Sequence, residues 1–207
     1  MEYTKKYWNE YYKNKINSER LPSQFAAFIL NEFCNVEQIV EFGCGTGRDS
    51  FFFSNYGKKV LALDYSETII ENNIKINNND NLKFELLDVS SEESITNFQK
   101  KYSNLDNVLV YGRFFIHGID EKSEDNFLNM CDKMIKNGGS IALEFRTNRD
   151  ENLVKETELH FRRFVNPLSL IKKFNNMNFK INYYYEGWGF AKYKNDDAYV
   201  ARIIAQR

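Results

Sequence analysis

The chain has 207 residues and a mass of 24.6 kDa, enough for one domain with a full core and short of the usual room for two. Hydrophobic residues make up 43% and charged residues 28%, a balance that excludes a mainly disordered chain. Lys plus Arg is 28 against Asp plus Glu 29, so no global positive excess draws the protein onto nucleic acid or anionic lipid. Cys34, Cys44 and Cys131 are odd in number and lack Cys-x-x-Cys spacing, which argues against a disulfide framework or a cysteine-rich zinc site and fits a reducing compartment. No stretch approaches the roughly 18 apolar residues of a membrane span, and the first residues have no apolar core after their basic pair. The expectation is a soluble, cytoplasmic protein.

From Tyr3 to Lys15, Tyr7, Trp8, Tyr11 and Tyr12 recur among charged residues and predict an amphipathic helix with an aromatic stripe, packed on the core. A second helix is predicted from Pro22, carrying Phe25, Ala26, Phe28, Ile29 and Phe33 inward. Residues 39–42 then read as a buried strand, Gly43 to Gly47 as a glycine turn, and a helix starts near Arg48. Lys59–Asp64 is a second strand, followed by a helix from Ser66 that gives way to loop in the polar stretch from Asn72 to Asn81. Leu82–Asp88 is a third strand, and Ser90 with Glu93 offers a capping box for the next helix. Asp106–Tyr111 is a fourth strand, a long helix runs to the Gly138-Gly139 stop, and Ser140–Phe145 is a fifth strand. After Thr147 come a polar loop, a helix opened by Asn166-Pro167, and two strands, Phe179–Tyr185 and Ala198–Ile204, joined by a hydrophilic turn.

This order predicts a single α/β domain: a Rossmann-like, doubly wound, seven-stranded sheet, mostly parallel, with an antiparallel C-terminal hairpin and helices on both faces. Residues 1–35 are read as a helical cap, 36–147 as a cofactor-binding core, and 148–207 as a substrate loop and hairpin.

The glycine turn lets a ligand approach the backbone at the carboxyl end of the sheet, where open α/β folds bind. Its spacing, Gly43-x-Gly45-x-Gly47, puts Arg48 where a dinucleotide fingerprint needs its third glycine, which weakens the NAD reading. Asp64, 21 positions after Gly43, is placed to accept hydrogen bonds from ribose hydroxyls. Asp88 is in reach of an adenine amino group, with the Val89 amide beside it. Either carboxylate also suits a helix N-cap or a turn.

With those residues in place, the chain resembles the class I S-adenosylmethionine-dependent methyltransferases: Val40 to Gly47 is similar to their first motif, Leu63-Asp64-Tyr65-Ser66 to their second and Leu87-Asp88-Val89 to their third. The resemblance implies S-adenosylmethionine as cofactor, with Glu41 and the Gly43 and Gly45 backbone on the methionine moiety and Asp64 on the ribose. It implies an N-terminal lid from Tyr7, Trp8 and Tyr12, and places Arg48 and Asp49 toward the methionine end. Cys44, Tyr65, Val89 and Tyr111 complete the candidate cofactor set, from the same motifs and the end of the fourth strand.

Candidate acceptor chemistry follows the fourth strand, where the tetrad of the DNA amino-methyltransferases is missing, so nucleic-acid bases are set aside. His117 has an ordinary pKa suited to a general base, and it equally suits a structural role. Arg113, Arg146, His160, Arg162 and Arg163 fall in segments expected at the cleft, where guanidinium forks suit an anionic small-molecule acceptor. Ordinary ion pairs with Glu144, Glu156 or Glu158 are the competing account of these arginines. The run from Arg113 to His117 with Glu144-Phe145-Arg146-Thr147 resembles a subgroup found with surface-polysaccharide biosynthesis, which implies O-methylation of a sugar, phosphate or phosphoramidate group. No metal site, nucleic-acid partner or membrane partner is expected. A non-catalytic S-adenosylmethionine-binding regulator and an NAD-dependent oxidoreductase are the alternatives.

Overall fold

The computed structural model describes residues 2–13, 21–103, 105–135, 138–153, 155 and 160–207. Asn14 and Lys15, the expected end of the first helix, and Glu156 and Glu158 lie outside the described residues.

The apolar runs of the sequence become the inner strands. Strands β1 (Gln38–Phe42), β2 (Lys59–Asp64), β3 (Leu82–Leu86), β4 (Val108–Arg113) and β5 (Ser140–Arg146) pair in parallel in the order β3-β2-β1-β4-β5. Strands β6 (Lys180–Gly187) and β9 (Val200–Gln206) extend the sheet, with β9 antiparallel between β5 and β6. The seven-stranded, mostly parallel sheet with its reversed hairpin is the architecture expected from the sequence. That reversed strand is not the parallel sixth strand an NAD-binding sheet needs. The hydrophilic turn inside the hairpin holds a feature the sequence reading missed, a two-stranded ribbon of β7 (Lys192–Tyr193) and β8 (Asp196–Asp197).

Helices cover both faces, as continuous apolar strands require. Helices α2 (Gln24–Glu32), α3 (Arg48–Asn55) and α4 (Glu67–Ile76) pack Phe25, Ile29, Phe53 and Ile69 on one face. Helices α5 (Glu92–Lys101), α6 (Glu121–Met134) and α7 (Pro167–Asn176) pack Phe98, Phe127, Met130 and Phe174 on the other. Helix α1 (Glu2–Lys13) lies against α4.

Capping explains where several predicted boundaries move. Helix α2 begins at Gln24 and not at Pro22, because the Ser23 hydroxyl accepts from the Ala26 amide at 3.0 Å. Ser91, one residue after the predicted Ser90, caps α5 by accepting from Ser94 N, so the Ser90 to Glu93 box does not form. Helix α4 runs through the expected loop to Ile76, since Asn73 is buried and donates to the Gly45 carbonyl at 2.8 Å. Asn166 caps α7 with Pro167 in its first turn, as read from the sequence.

Candidate functional site

A cleft of ≈ 310 Å³ opens at the carboxyl ends of β3, β2, β1 and β4. Gly43 lines it from the turn after β1, where Gly43, Gly45 and Gly47 have φ of +71°, +52° and +73°, a left-handed backbone that L side chains rarely adopt. A Cβ at Gly43 would stand 3.0 Å from Phe115, and one at Gly45 only 2.8 Å from the Tyr12 hydroxyl. Bare backbone therefore faces ring and hydroxyl groups at both positions.

Asp64, at the end of β2, is buried and lines the cleft. Its two oxygens accept from Gly45 N at 2.9 Å and Ser66 N at 3.0 Å, which fixes the carboxylate. Burial raises its pKa, opposed by the backbone amides of Ser66, Gly45 and Tyr65. Tyr65 stays protonated, its pKa pushed up by burial and by the charges of Asp64 and Asp88. Asp88 accepts from Ser90 N and Ser90 Oγ, and it lines the adenine-side wall with Val89. Trp8 and Tyr12 of α1 close the cleft from above, and the helix is tied down by a hydrogen bond from Ser66 Oγ to Asn9 Oδ1.

Seven of the candidate cofactor residues, Trp8, Tyr12, Gly43, Asp64, Tyr65, Asp88 and Val89, thus converge on the cleft wall. The structure places the others off the wall. Glu41 is buried and accepts from Ser50 Oγ at 2.5 Å, and burial with the nearby Asp49 charge holds its pKa well above the ordinary carboxylate range. Asp49 accepts from Ser23 N and Oγ at 2.7 Å each and from the Tyr111 hydroxyl at 2.8 Å, so Asp49 and Tyr111 tie α2 to α3 and β4. Arg48 stands 3.6 Å from Asp49. Cys44 is buried, its thiol pushed up by that burial. Gly45 carries the turn, and Tyr7 stacks on His160 outside Trp8 at a ring distance of 4.8 Å.

Among the acceptor candidates, only Arg113 lines the cleft. Arg146 instead grips two buried carboxylates, Asp150 and Asp196, at 2.6 Å each. Arg163 donates to the carbonyls of Ile119 and Ile116 and pairs with Glu124, bracing the turn between β4 and α6. His160 packs against Tyr7 and Trp8. Arg162 has its pKa lowered by burial and by the Arg146 charge.

His117 is buried, and its Nδ1 accepts from the Arg146 amide at 3.1 Å. Burial lowers its pKa well below 6.5, helped by the charges of Arg146, Arg162, His160 and Arg113. With Nδ1 accepting from a backbone amide, the neutral ring carries its proton on Nε2 and presents a hydrogen-bond donor there.

Sequence reasoning missed Phe42, Leu63, Leu87, Ser90, Phe114, Phe115, Gly118, Ile119, Asp120, Ser123 and Phe161 as cleft residues. The adjacent Phe114-Phe115 pair directly after β4 was the available signal. Phe114 is held at φ +56°, its ring 4.3 Å from the Arg113 guanidinium carbon and 5.1 Å from the His117 ring.

A carboxylate on β2, a second after β3, a glycine floor and an aromatic cover fit an adenosyl ligand: Asp64 would hold the ribose, Asp88 and Val89 the adenine edge, and Gly43 the methionine end. Bound S-adenosylmethionine supplies an electrophilic methyl on a sulfonium. Around such a ligand Trp8 and Tyr12 would exclude water, and Arg113 and Phe114 line the same cleft.

Comparison with known proteins gives the same result. Residues 39–139 match a family model described as a methyltransferase domain. A SAM-dependent methyltransferase from Anabaena variabilis superposes with a TM-score of 0.73 at 19% identity, over 98% of this chain and 94% of that one. A TehB-like SAM-dependent methyltransferase from Corynebacterium glutamicum gives 0.69 at 13%, over 98% and 97%. Magnesium protoporphyrin IX methyltransferase from Synechocystis, solved with bound SAM, gives 0.63 at 13%, over 88% and 76%. At these identities the likeness concerns the fold. No curated protein matches the chain. Residues 39–139 thus match the methyltransferase-domain family, in a chain that has the fold of SAM-dependent methyltransferases of known structure.

Proposed function

We propose that this methyltransferase transfers its methyl group to an oxygen of a small anionic acceptor: a sugar, phosphate or phosphoramidate group in surface-polysaccharide biosynthesis, in the cytoplasm. The observation that carries the reading is Arg113. Its Nε donates to Glu144 at 2.8 Å, while its two terminal nitrogens make no hydrogen bond among the described residues and the side chain lines the cleft. An anchored guanidinium with an open edge suits a carboxylate or phosphate in bidentate fashion.

The test is release of S-adenosylhomocysteine from S-adenosylmethionine with neutral sugars, nucleotide sugars, phosphorylated sugars and phosphoramidates. Turnover confined to the anionic acceptors, with KM raised at least about tenfold in Arg113→Gln, is the expected result. Turnover of neutral sugars at an unchanged KM in that variant would refute it. Cofactor binding without turnover of any class would favour the regulatory, non-catalytic alternative.

A further inference from the structure

We propose that Arg113, Glu144 and Arg202 form one anion site, in which Arg202 acts through Glu144 to keep a net positive charge facing the cleft. The inference rests on the anionic-acceptor reading and names the device that selects charge.

The three residues form a single rung of the sheet. Arg113 on β4 is the register partner of Glu144 on β5, and Glu144 is the register partner of Arg202 on β9. Arg113 Nε donates to one carboxylate oxygen at 2.8 Å and Arg202 Nε to the other at 2.7 Å. Glu144 is fully buried and Arg202 is 4% exposed, so Arg113 is the member that reaches the cleft. The guanidinium carbon of Arg202 lies 5.1, 5.6 and 4.6 Å from the rings of Phe25, Phe28 and Phe190. That apolar collar keeps the charge away from water, where it would be screened.

Two guanidinium charges against one carboxylate leave one unit of positive charge. With Glu144 and Arg113 alone, the rung would present a neutral ion pair to the cleft, and an incoming anion would compete with Glu144 for the same guanidinium. Arg202 engages the far oxygen and offsets the carboxylate, so the open edge of Arg113 keeps its pull on an anion. The neighbouring cations are balanced differently. Arg146 and Lys155 face two carboxylates, Asp150 and Asp196, and Arg163 and Lys173 likewise face two, Glu124 and Asp125.

The experiment is calorimetric titration of inorganic phosphate into the full-length protein saturated with S-adenosylhomocysteine, so that any subsite for the cofactor's own carboxylate is filled. The wild type binds phosphate, Arg113→Gln abolishes binding, Arg202→Met weakens it about tenfold or more, and Arg202→Lys stays within about threefold of wild type. Glu144→Gln removes the opposing charge and binds phosphate more tightly, a gain that a merely structural role does not give. Weaker binding in Glu144→Gln, or wild-type affinity in Arg202→Met, overturns the role of Arg202 and leaves the acceptor reading standing. No phosphate binding by the wild type overturns the anion site itself. If Arg113→Gln weakens S-adenosylhomocysteine binding while phosphate binding persists, Arg113 holds the cofactor's carboxylate and the anionic-acceptor reading falls.

Discussion

Replacing Arg146 separates a structural guanidinium from a catalytic one. Arg146 is 6% exposed, and its two terminal nitrogens hold Asp150 and Asp196, themselves 0% and 5% exposed, at 2.6 Å each. These contacts join the end of β5 to the turn after it and to the β7-β8 ribbon, 50 residues away in sequence. Arg146→Met removes the charge while keeping most of the volume, and it takes from Asp150 and Asp196 the guanidinium that both carboxylates share. Breaking a buried pair in this way costs about 3–5 kcal/mol. Urea unfolding followed by circular dichroism should show a loss in that range. The double variant Arg146→Met with Asp196→Asn should recover at least about half, since one of the two buried carboxylate charges is then gone. A loss below about 1 kcal/mol in the single variant, together with abolished methyl transfer, would refute the structural assignment and return Arg146 to the acceptor site.

Asp64→Asn should weaken S-adenosylhomocysteine binding about 10- to 100-fold by calorimetry, the effect of losing charged hydrogen bonds to a ribose, with the fold retained. Gly45→Ala forces an L side chain to φ +52° against the Tyr12 hydroxyl, and should cost about 1–2 kcal/mol in urea unfolding while displacing α1, read as increased Trp8 solvent exposure. His117 has a folded pKa below its ordinary value of 6.5, so the unfolded chain binds more protons in between. Its contribution to stability is present above about pH 6.5 and lost as pH falls below it, and His117→Asn should flatten that part of the stability profile. A variant profile parallel to the wild type would remove the burial account of this histidine.

The cofactor half of the fold was legible because its information is local. A strand, a turn that tolerates positive φ and a following helix leave their marks within about ten residues, and Gly43, Asp64 and Asp88 each sit where a strand ends. Boundaries set by side chains reaching across the fold were less legible. Asn73 sits in a polar stretch that reads as loop, and only its contact with the Gly45 carbonyl explains why α4 continues past it. The β7-β8 ribbon is two residues per strand, too short for periodicity to register, and Arg146 tethers it from outside the segment.

The arginines show the other limit. Arg113, Arg146 and Arg163 emerge in segments near the cleft, as expected, but what each one does depends on partners 31, 50 and 39 positions away. A cluster of basic residues in sequence says nothing of how many carboxylates the sheet register brings to it. Arg146 is consumed by two carboxylates and Arg163 by Glu124 and two carbonyls, whereas among the described residues only the Nε of Arg113 is engaged, by a carboxylate it shares with Arg202, a residue that no motif marked. The antiparallel insertion of β9 beside β5 decides this, since it alone brings Arg202 opposite Glu144. The reversed strand therefore does more than close the sheet. On the proposed reading it sets the charge at the Arg113 end of a cleft whose other end is marked by the glycine turn and two strand-terminal carboxylates.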